Sequence, residues 1–252
     1  MKAHLQVYND LKDPHAHRRA DLRRGFRLVS AMDLSDIHAA FREVNEHDIP
    51  YDIGIIRTER IAPVWCEYER HYSSAPPPFI KSAIVYVVFT SVAADYYFRE
   101  ELTPRVIEAL NSRFGNHFGY DDYRTNRKQL AVMAGLGKIA KQSLVFNDRF
   151  GLNCKIDAIF STLEFDGYRE YDGERYYEAC ASCAAPCISR CPMKCHMDYR
   201  LHDVSLCDHH ITPHWNTPEL MCRACIEACE LSQRLLKDIP PDAHERRGKP
   251  QL

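Results

Sequence analysis

The chain has 252 residues, 45% of them hydrophobic and 27% charged, with 33 Lys and Arg against 35 Asp and Glu for a formal net charge of −2. That length supports one sizeable α/β domain with a small module beside it. The near-neutral balance argues against a sequence-wide polyanion-binding surface, and there is no run of about 18 apolar residues for a membrane span.

Residues 1–30 are polar and basic and predict an irregular lead-in. Arg23-Arg24-Gly25-Phe26-Arg27-Leu28 has the look of a twin-arginine export signal, but Asp33 and Asp36 interrupt the apolar region such a signal needs. The expected location is therefore cytoplasmic. Ser35 is the expected N-cap of a helix in which Ile37, Ala40, Phe41 and Val44 recur at helical spacing, ending before Pro50. Tyr51 to Arg57 predicts a strand, Ile61 to Arg70 a short helix, and Pro76-Pro77-Pro78 a loop. Ala83 to Phe89, continuous and β-branched, predicts a strand buried on both faces. Asp95 to Arg113 reads as helix with a break near Pro104, restarted under a Thr103 cap. A helix over Asn126 to Ala134 runs into Gly135-Leu136-Gly137, and strands follow at Leu144 to Asn147 and Lys155 to Phe165. The order predicts an α/β (α+β) sheet core covered by helices over residues 1–172. A cysteine module follows over 173–237, with Leu220 to Lys237 helical, and a charged tail over 238–252.

Eight of the eleven cysteines form two linked runs, Cys180, Cys183, Cys187 and Cys191-Pro192, then Cys207, Cys222, Cys225 and Cys229. In two-cluster ferredoxins the cysteine before proline serves the other cluster, so separated runs interlock. Applied here, Cys180, Cys183, Cys187 and Cys229 hold one [4Fe-4S] cluster, and Cys191, Cys207, Cys222 and Cys225 a second. The run departs from the usual spacing by one residue, since Ala184, Ala185 and Pro186 separate Cys183 from Cys187 where two residues are usual. A bulge next to Pro186 would absorb it. Two four-cysteine zinc sites are the competing reading, disfavoured by the Cys-Pro ending and the interlocking tally. Cys66, Cys154 and Cys195 fall outside that tally, the first two as buried small hydrophobes and Cys195 as a loop thiol near a cluster.

The segment Ala134-Gly135-Leu136-Gly137-Lys138-Ile139-Ala140-Lys141-Gln142, followed by Phe150-Gly151 and Thr162-Leu163-Glu164-Phe165, resembles the epoxyqueuosine reductase and reductive dehalogenase superfamily over roughly residues 80–232. The resemblance implies a nitroreductase-like core that binds cobalamin, with a ferredoxin-like module relaying electrons to cobalt from a donor such as a ferredoxin or flavodoxin. Gly135, Gly137, Lys141 and Lys155 would meet the cofactor, with Lys138 beside them. An Asp-Arg pair that precedes this segment in the reductases reads Arg127-Lys128 here, so the acid is missing. Tyr120 or Tyr123 would then donate the proton, with Arg127 or Arg124 lowering the phenol's pKa. The tyrosines' other reading is ordinary aromatic packing. The loop from Cys207 to Cys222 is shorter than in the reductases and carries His209, His210, His214 and Trp215, whose histidines are candidate metal ligands or solvated side chains.

Two functions follow. One is an iron–sulfur reductase acting on a small molecule through cobalamin. The other is an electron-transfer protein without cobalamin that docks a partner through its α/β core. A nucleic-acid substrate is not expected, because no helical-repeat segment follows the clusters.

Overall fold

A computed structural model describes residues 32–46, 48–63, 65–66, 71–90, 102–120, 125–169, 171, 173–201, 204–211 and 222–239. Its centre is a four-stranded antiparallel sheet built from β1 (Tyr51–Arg57), β4 (Ser82–Phe89), β5 (Phe118–Tyr120) and β8 (Cys154–Ser161), in the order β1-β4-β8-β5. The hairpin of β2 (Trp65–Cys66) and β3 (His71–Tyr72) lies between β1 and β4 in the chain.

Strand β4 is apolar throughout because both its faces are covered. Ile84, Tyr86 and Val88 face α1 (Leu34–Val44) and α2 (Thr103–Phe114), while Ala83, Val85, Val87 and Phe89 face α3 (Arg127–Met133). Helix α1 buries the four residues its periodicity selects, Ile37, Ala40, Phe41 and Val44. Burying each of the larger ones contributes about 1.5–3 kcal/mol. On the opposite face Gly54 of β1 lets α3 approach, since a Cβ there would sit 2.5 Å from the Ala134 carbonyl oxygen.

Several boundaries differ from expectation. The cap of α1 is Asp33, not Ser35: its carboxylate accepts from the Ser35 and Asp36 N–H groups while Asp36 returns a bond to the Asp33 N–H. Thr103 is the first residue of α2 rather than its cap, and its hydroxyl is used elsewhere, as described below. In place of a helix after Ile61, a 3-10 turn spans Thr58–Arg60 and the chain then extends into β2, with Pro63 between them. Residues 67–70 of that predicted helix and 95–101 of the next lie outside the described residues. Strand β8 ends at Ser161, four residues earlier than predicted.

Past α3 come β6 (Lys138–Ile139) and β7 (Val145–Phe146), a small hairpin. The cysteine module contains α4 (Pro186–Ser189), β9 (His196–Met197), β10 (Arg200–Leu201), α5 (Val204–Ile211), α6 (Ala224–Glu227) and α7 (Glu230–Leu235). The single helix predicted over Leu220 to Lys237 is broken at Cys229, whose extended backbone (φ −85°, ψ 100°) makes it the N-cap of α7. The module is sewn to the sheet domain: the Ile139 N–H donates to the Arg175 carbonyl (2.8 Å), the Tyr177 N–H to Ile139 (2.9 Å) and the Tyr199 N–H to Lys141 (2.7 Å). A third apolar cluster of Ala140, Phe146, Leu152 and Cys180, with Tyr177 stacked on Phe146 at 4.1 Å, fills the seam.

Candidate metal centre

The cysteines of the two runs lie close enough to raise one another's pKa. Burial pushes the Cys187 thiol up to about 11, and the next causes are the sulfurs of Cys229, Cys180 and Cys183. Burial likewise pushes Cys225 up to about 12, followed by Cys222, Cys207, Cys191 and, more weakly, Cys187. The sulfurs of Cys229, Cys180 and Cys183 thus lie near Cys187, and those of Cys222, Cys207, Cys191 and Cys187 near Cys225. Half-buried thiols that raise one another's pKa are a costly arrangement for a protein alone. A cationic metal centre reverses that cost, because it takes the sulfurs as thiolates.

The backbone is arranged to receive those thiolates. The Cys180 sulfur accepts the Lys141 N–H, and the Cys229 sulfur accepts the N–H groups of Ser232 and Leu231. Such bonds to sulfur tune a cluster's potential. The additional residue between Cys183 and Cys187 is absorbed at Ala185, which adopts a left-handed conformation (φ 57°, ψ 50°) beside Pro186 and donates its N–H to the Cys183 sulfur at 3.4 Å. A non-glycine residue held there costs about 1–2 kcal/mol.

Cys195, outside the predicted tally, is fully buried and its sulfur lies 3.5 Å from that of Cys191. Cys154 lies half-buried on β8 with its sulfur against the Val145 and Gly151 carbonyls, and the side chain of Cys66 lies outside the described residues. His210 lies on α5; the His209 side chain, His214 and Trp215 lie outside the described residues.

The other candidates sit on the sheet domain. Arg127 opens α3 and pairs with Asp157 of β8, Nε to Oδ1 at 2.8 Å. The Thr103 hydroxyl donates to the other carboxylate oxygen at 3.0 Å and meets the Tyr86 hydroxyl at 2.5 Å. The starts of α2 and α3 thus converge on one buried carboxylate. Sequence reasoning missed Asp157, although a lone aspartate inside the apolar run Ile156 to Phe160 is itself a signal of a paired buried charge. Tyr120 ends β5 and packs against the α1–α2 side of the core, while Tyr123 and Arg124 lie outside the described residues.

Gly135 (φ +65°) closes α3 in a Schellman motif, with the Leu136 N–H on the Ala131 carbonyl and the Gly135 N–H on Val132. A Cβ on Gly137 would lie 2.5 Å from the Phe146 carbonyl oxygen, so that glycine admits the chain's own β7. Lys141 donates from Nζ to the Cys183 carbonyl at 3.1 Å, and Lys155 lies on β8 opposite Val88. A cavity of about 290 Å³ near the end of β1 is lined by Arg57, Arg60 and Arg169, together with Tyr168 and Asp166.

No family model and no curated protein matches the sequence. Solved structures do. An epoxyqueuosine reductase from Streptococcus thermophilus aligns with a TM-score of 0.54 at 15% identity, over 80% of this chain and 67% of that one. An epoxyqueuosine reductase with a tRNA-Tyr epoxyqueuosine-modified stem loop aligns at 0.54 and 14%, over 82% and 68%. A catabolic reductive dehalogenase in complex with 3-bromo-4-hydroxybenzoic acid aligns at 0.51 and 15%, over 77% and 33%. The chain spans about two thirds of the length of these reductases and a third of that dehalogenase. It has the α/β fold that epoxyqueuosine reductases and reductive dehalogenases share.

Proposed function

We propose that this chain is an iron–sulfur oxidoreductase whose two [4Fe-4S] clusters carry electrons to a centre on the sheet domain, where a small molecule is reduced. The observation that carries the reading is the drawing together of eight thiols, Cys180, Cys183 and Cys229 near Cys187 and Cys191, Cys207 and Cys222 near Cys225, the ligand count of two cubanes. Cys180, Cys183, Cys187 and Cys229 hold the cluster against the seam of Ala140, Phe146 and Leu152, and Cys191, Cys207, Cys222 and Cys225 hold the other. Clusters supply single electrons at potentials set by their surroundings. The chain's own part is to bury the sulfurs, aim the Lys141, Leu231 and Ser232 N–H groups at them, and fix the module on the sheet.

Cobalamin is the centre implied by the resemblance, yet the residues assigned to it form no cradle. Gly137 is occupied by Phe146, Gly135 caps α3, and Lys141 is tied to Cys183. These commitments favour a second reading, electron transfer without cobalamin. Arg57, Arg60 and Arg169 are the better receptors for an anionic substrate.

The test is iron, sulfide and cobalt analysis of anaerobically purified protein, before and after incubation with cobalamin and desalting. About eight iron and eight sulfide per chain with retained cobalt support a cobalamin reductase. The same iron without cobalt supports electron transfer or a cobalamin-independent reductase. Zinc in place of iron overturns both.

A further inference from the structure

The second group contains more donors than a cluster uses. The turn from Cys191 to Cys195 is closed by the Lys194 N–H on the Cys191 carbonyl (3.2 Å), with Lys194 in a left-handed conformation at φ 52°. The turn brings the Cys195 sulfur to 3.5 Å from that of Cys191. Cys207 is the next sulfur along, within side-chain hydrogen-bonding reach of Cys195. Two thiolates on one tetrahedral ion with metal–sulfur bonds of ~2.3 Å stand roughly 3.8 Å apart. Thiolates on different irons of a cubane stand much farther apart, since each iron carries its own. A cubane iron takes one protein thiolate beside its three sulfides, so two sulfurs 3.5 Å apart can reach the same iron one at a time.

An independent observation points the same way. A nitrogen of His196 and the sulfurs of Cys191 and Cys195 all lie within 4.8 Å of one another. His196 is 8% exposed, and its Nδ1 has no hydrogen-bond partner. A buried ring nitrogen without a protein partner is costly and calls for an electrophile beside it.

We propose that Cys195 is a reserve ligand of the second cluster, able to take the iron corner that Cys191 holds when Cys191 lets go or is replaced. The exchange consumes no electrons: one iron–sulfur bond breaks as another forms, and the departing thiolate takes the proton released by the incoming thiol. The proposal rests on the two-cluster reading above and deepens it at one corner.

The experiment compares wild type, Cys191→Ser, Cys195→Ser and the double variant by iron and sulfide content and by EPR of the dithionite-reduced proteins. The first cluster serves as an internal control for folding. Expected are about eight iron in wild type and in both single variants, and about four in the double variant. The second cluster's signal shifts in Cys191→Ser. Loss of about four iron from Cys191→Ser alone overturns the reserve role while leaving the two-cluster reading intact. The same loss from Cys195→Ser makes Cys195 an obligate ligand and also overturns it. A wild type without iron overturns the two-cluster reading itself. Should Cys191→Ser fail to fold, Cys191→Ala decides: about eight iron supports the reserve role, and about four overturns it.

Discussion

Gly151→Ala is expected to loosen the cysteine module and empty one cluster while sparing the other. Gly151 has φ +60°, and a Cβ there would lie 2.8 Å from the Cα of Ser232, closer still to its hydroxyl. Ser232 is fully buried in α7, and its hydroxyl accepts the Leu152 N–H (2.8 Å) and the Asn153 side-chain amide (3.1 Å). Its backbone N–H in turn supports the Cys229 sulfur. The left-handed backbone costs alanine about 1–2 kcal/mol. Overpacking against Ser232 adds about 1–3 kcal/mol. Gly167 supplies the control, because it too is left-handed (φ +81°) but nothing lies within 4 Å of its Cβ position. Gly167→Ala should therefore show the backbone cost alone, and Gly151→Ala about 2 kcal/mol more, read as a Tm roughly 4–8 °C lower than the control. Displacing α7 pulls Cys229 from its group, so iron should fall from about eight to about four per chain in Gly151→Ala only. Equal melting and full iron in both variants would refute the claim that this glycine locks the module to the sheet.

Four further outcomes are expected. Cys225→Ser should remove one cluster's EPR signal and leave the other; loss of neither signal sinks the ligand assignment. Ala185→Gly relieves the left-handed strain beside Cys183 and should raise stability by about 1 kcal/mol in denaturant unfolding of the loaded protein; no gain means that the strain is absent in the holoprotein. Burial pushes the Cys154 thiol up to about 12 from an ordinary 9.0, so the folded chain keeps a proton that the unfolded chain loses. Its contribution to stability should be intact below pH 9 and decline towards pH 12, and mass spectrometry should find Cys154 unalkylated in native protein at pH 8. Arg127→Ala strips the ion-pair partner from the buried Asp157 carboxylate, and Asp157→Asn in that background should restore part of the lost melting temperature; a double variant no more stable than the single one counts against a pairing role.

The sheet and the helices facing it were legible because their signals are local and redundant. Ile37, Ala40, Phe41 and Val44 repeat at helical spacing, and Ala83 to Phe89 is apolar on both faces because both are covered. The extra residue between Cys183 and Cys187 is taken up by the left-handed Ala185 beside Pro186, where the spacing called for a bulge. What the sequence concealed depends on partners distant in the chain. The extended backbone at Cys229 divides a segment that reads as one helix, and the Cys229 sulfur lies near Cys187. Thr103 reads as a cap, but β8 presents Asp157 to its hydroxyl from 54 positions away. The glycines of the Gly135 to Gly137 turn look free for a ligand until the Phe146 carbonyl is placed against one of them.

Asp157 also bears on the acid that the reductase resemblance calls for and that Arg127-Lys128 lacks. Its carboxylate is anchored by Arg127, by Thr103 and by the Ala158 N–H at 2.9 Å, so both oxygens are already engaged as acceptors. With both oxygens committed to these donors, the carboxylate offers no free edge to a substrate. Arg127, 35% exposed, is the outermost member of this group, and its charge is largely spent on Asp157. That leaves the Tyr120 phenol as the proton donor of the sequence reading that lies among the described residues. Tyr120 packs beside the same core, so Tyr120→Phe in the cluster-loaded protein tests the phenol. A fall in reductive turnover with unchanged iron and an unchanged melting temperature assigns it that role, while unchanged turnover leaves it to packing alone.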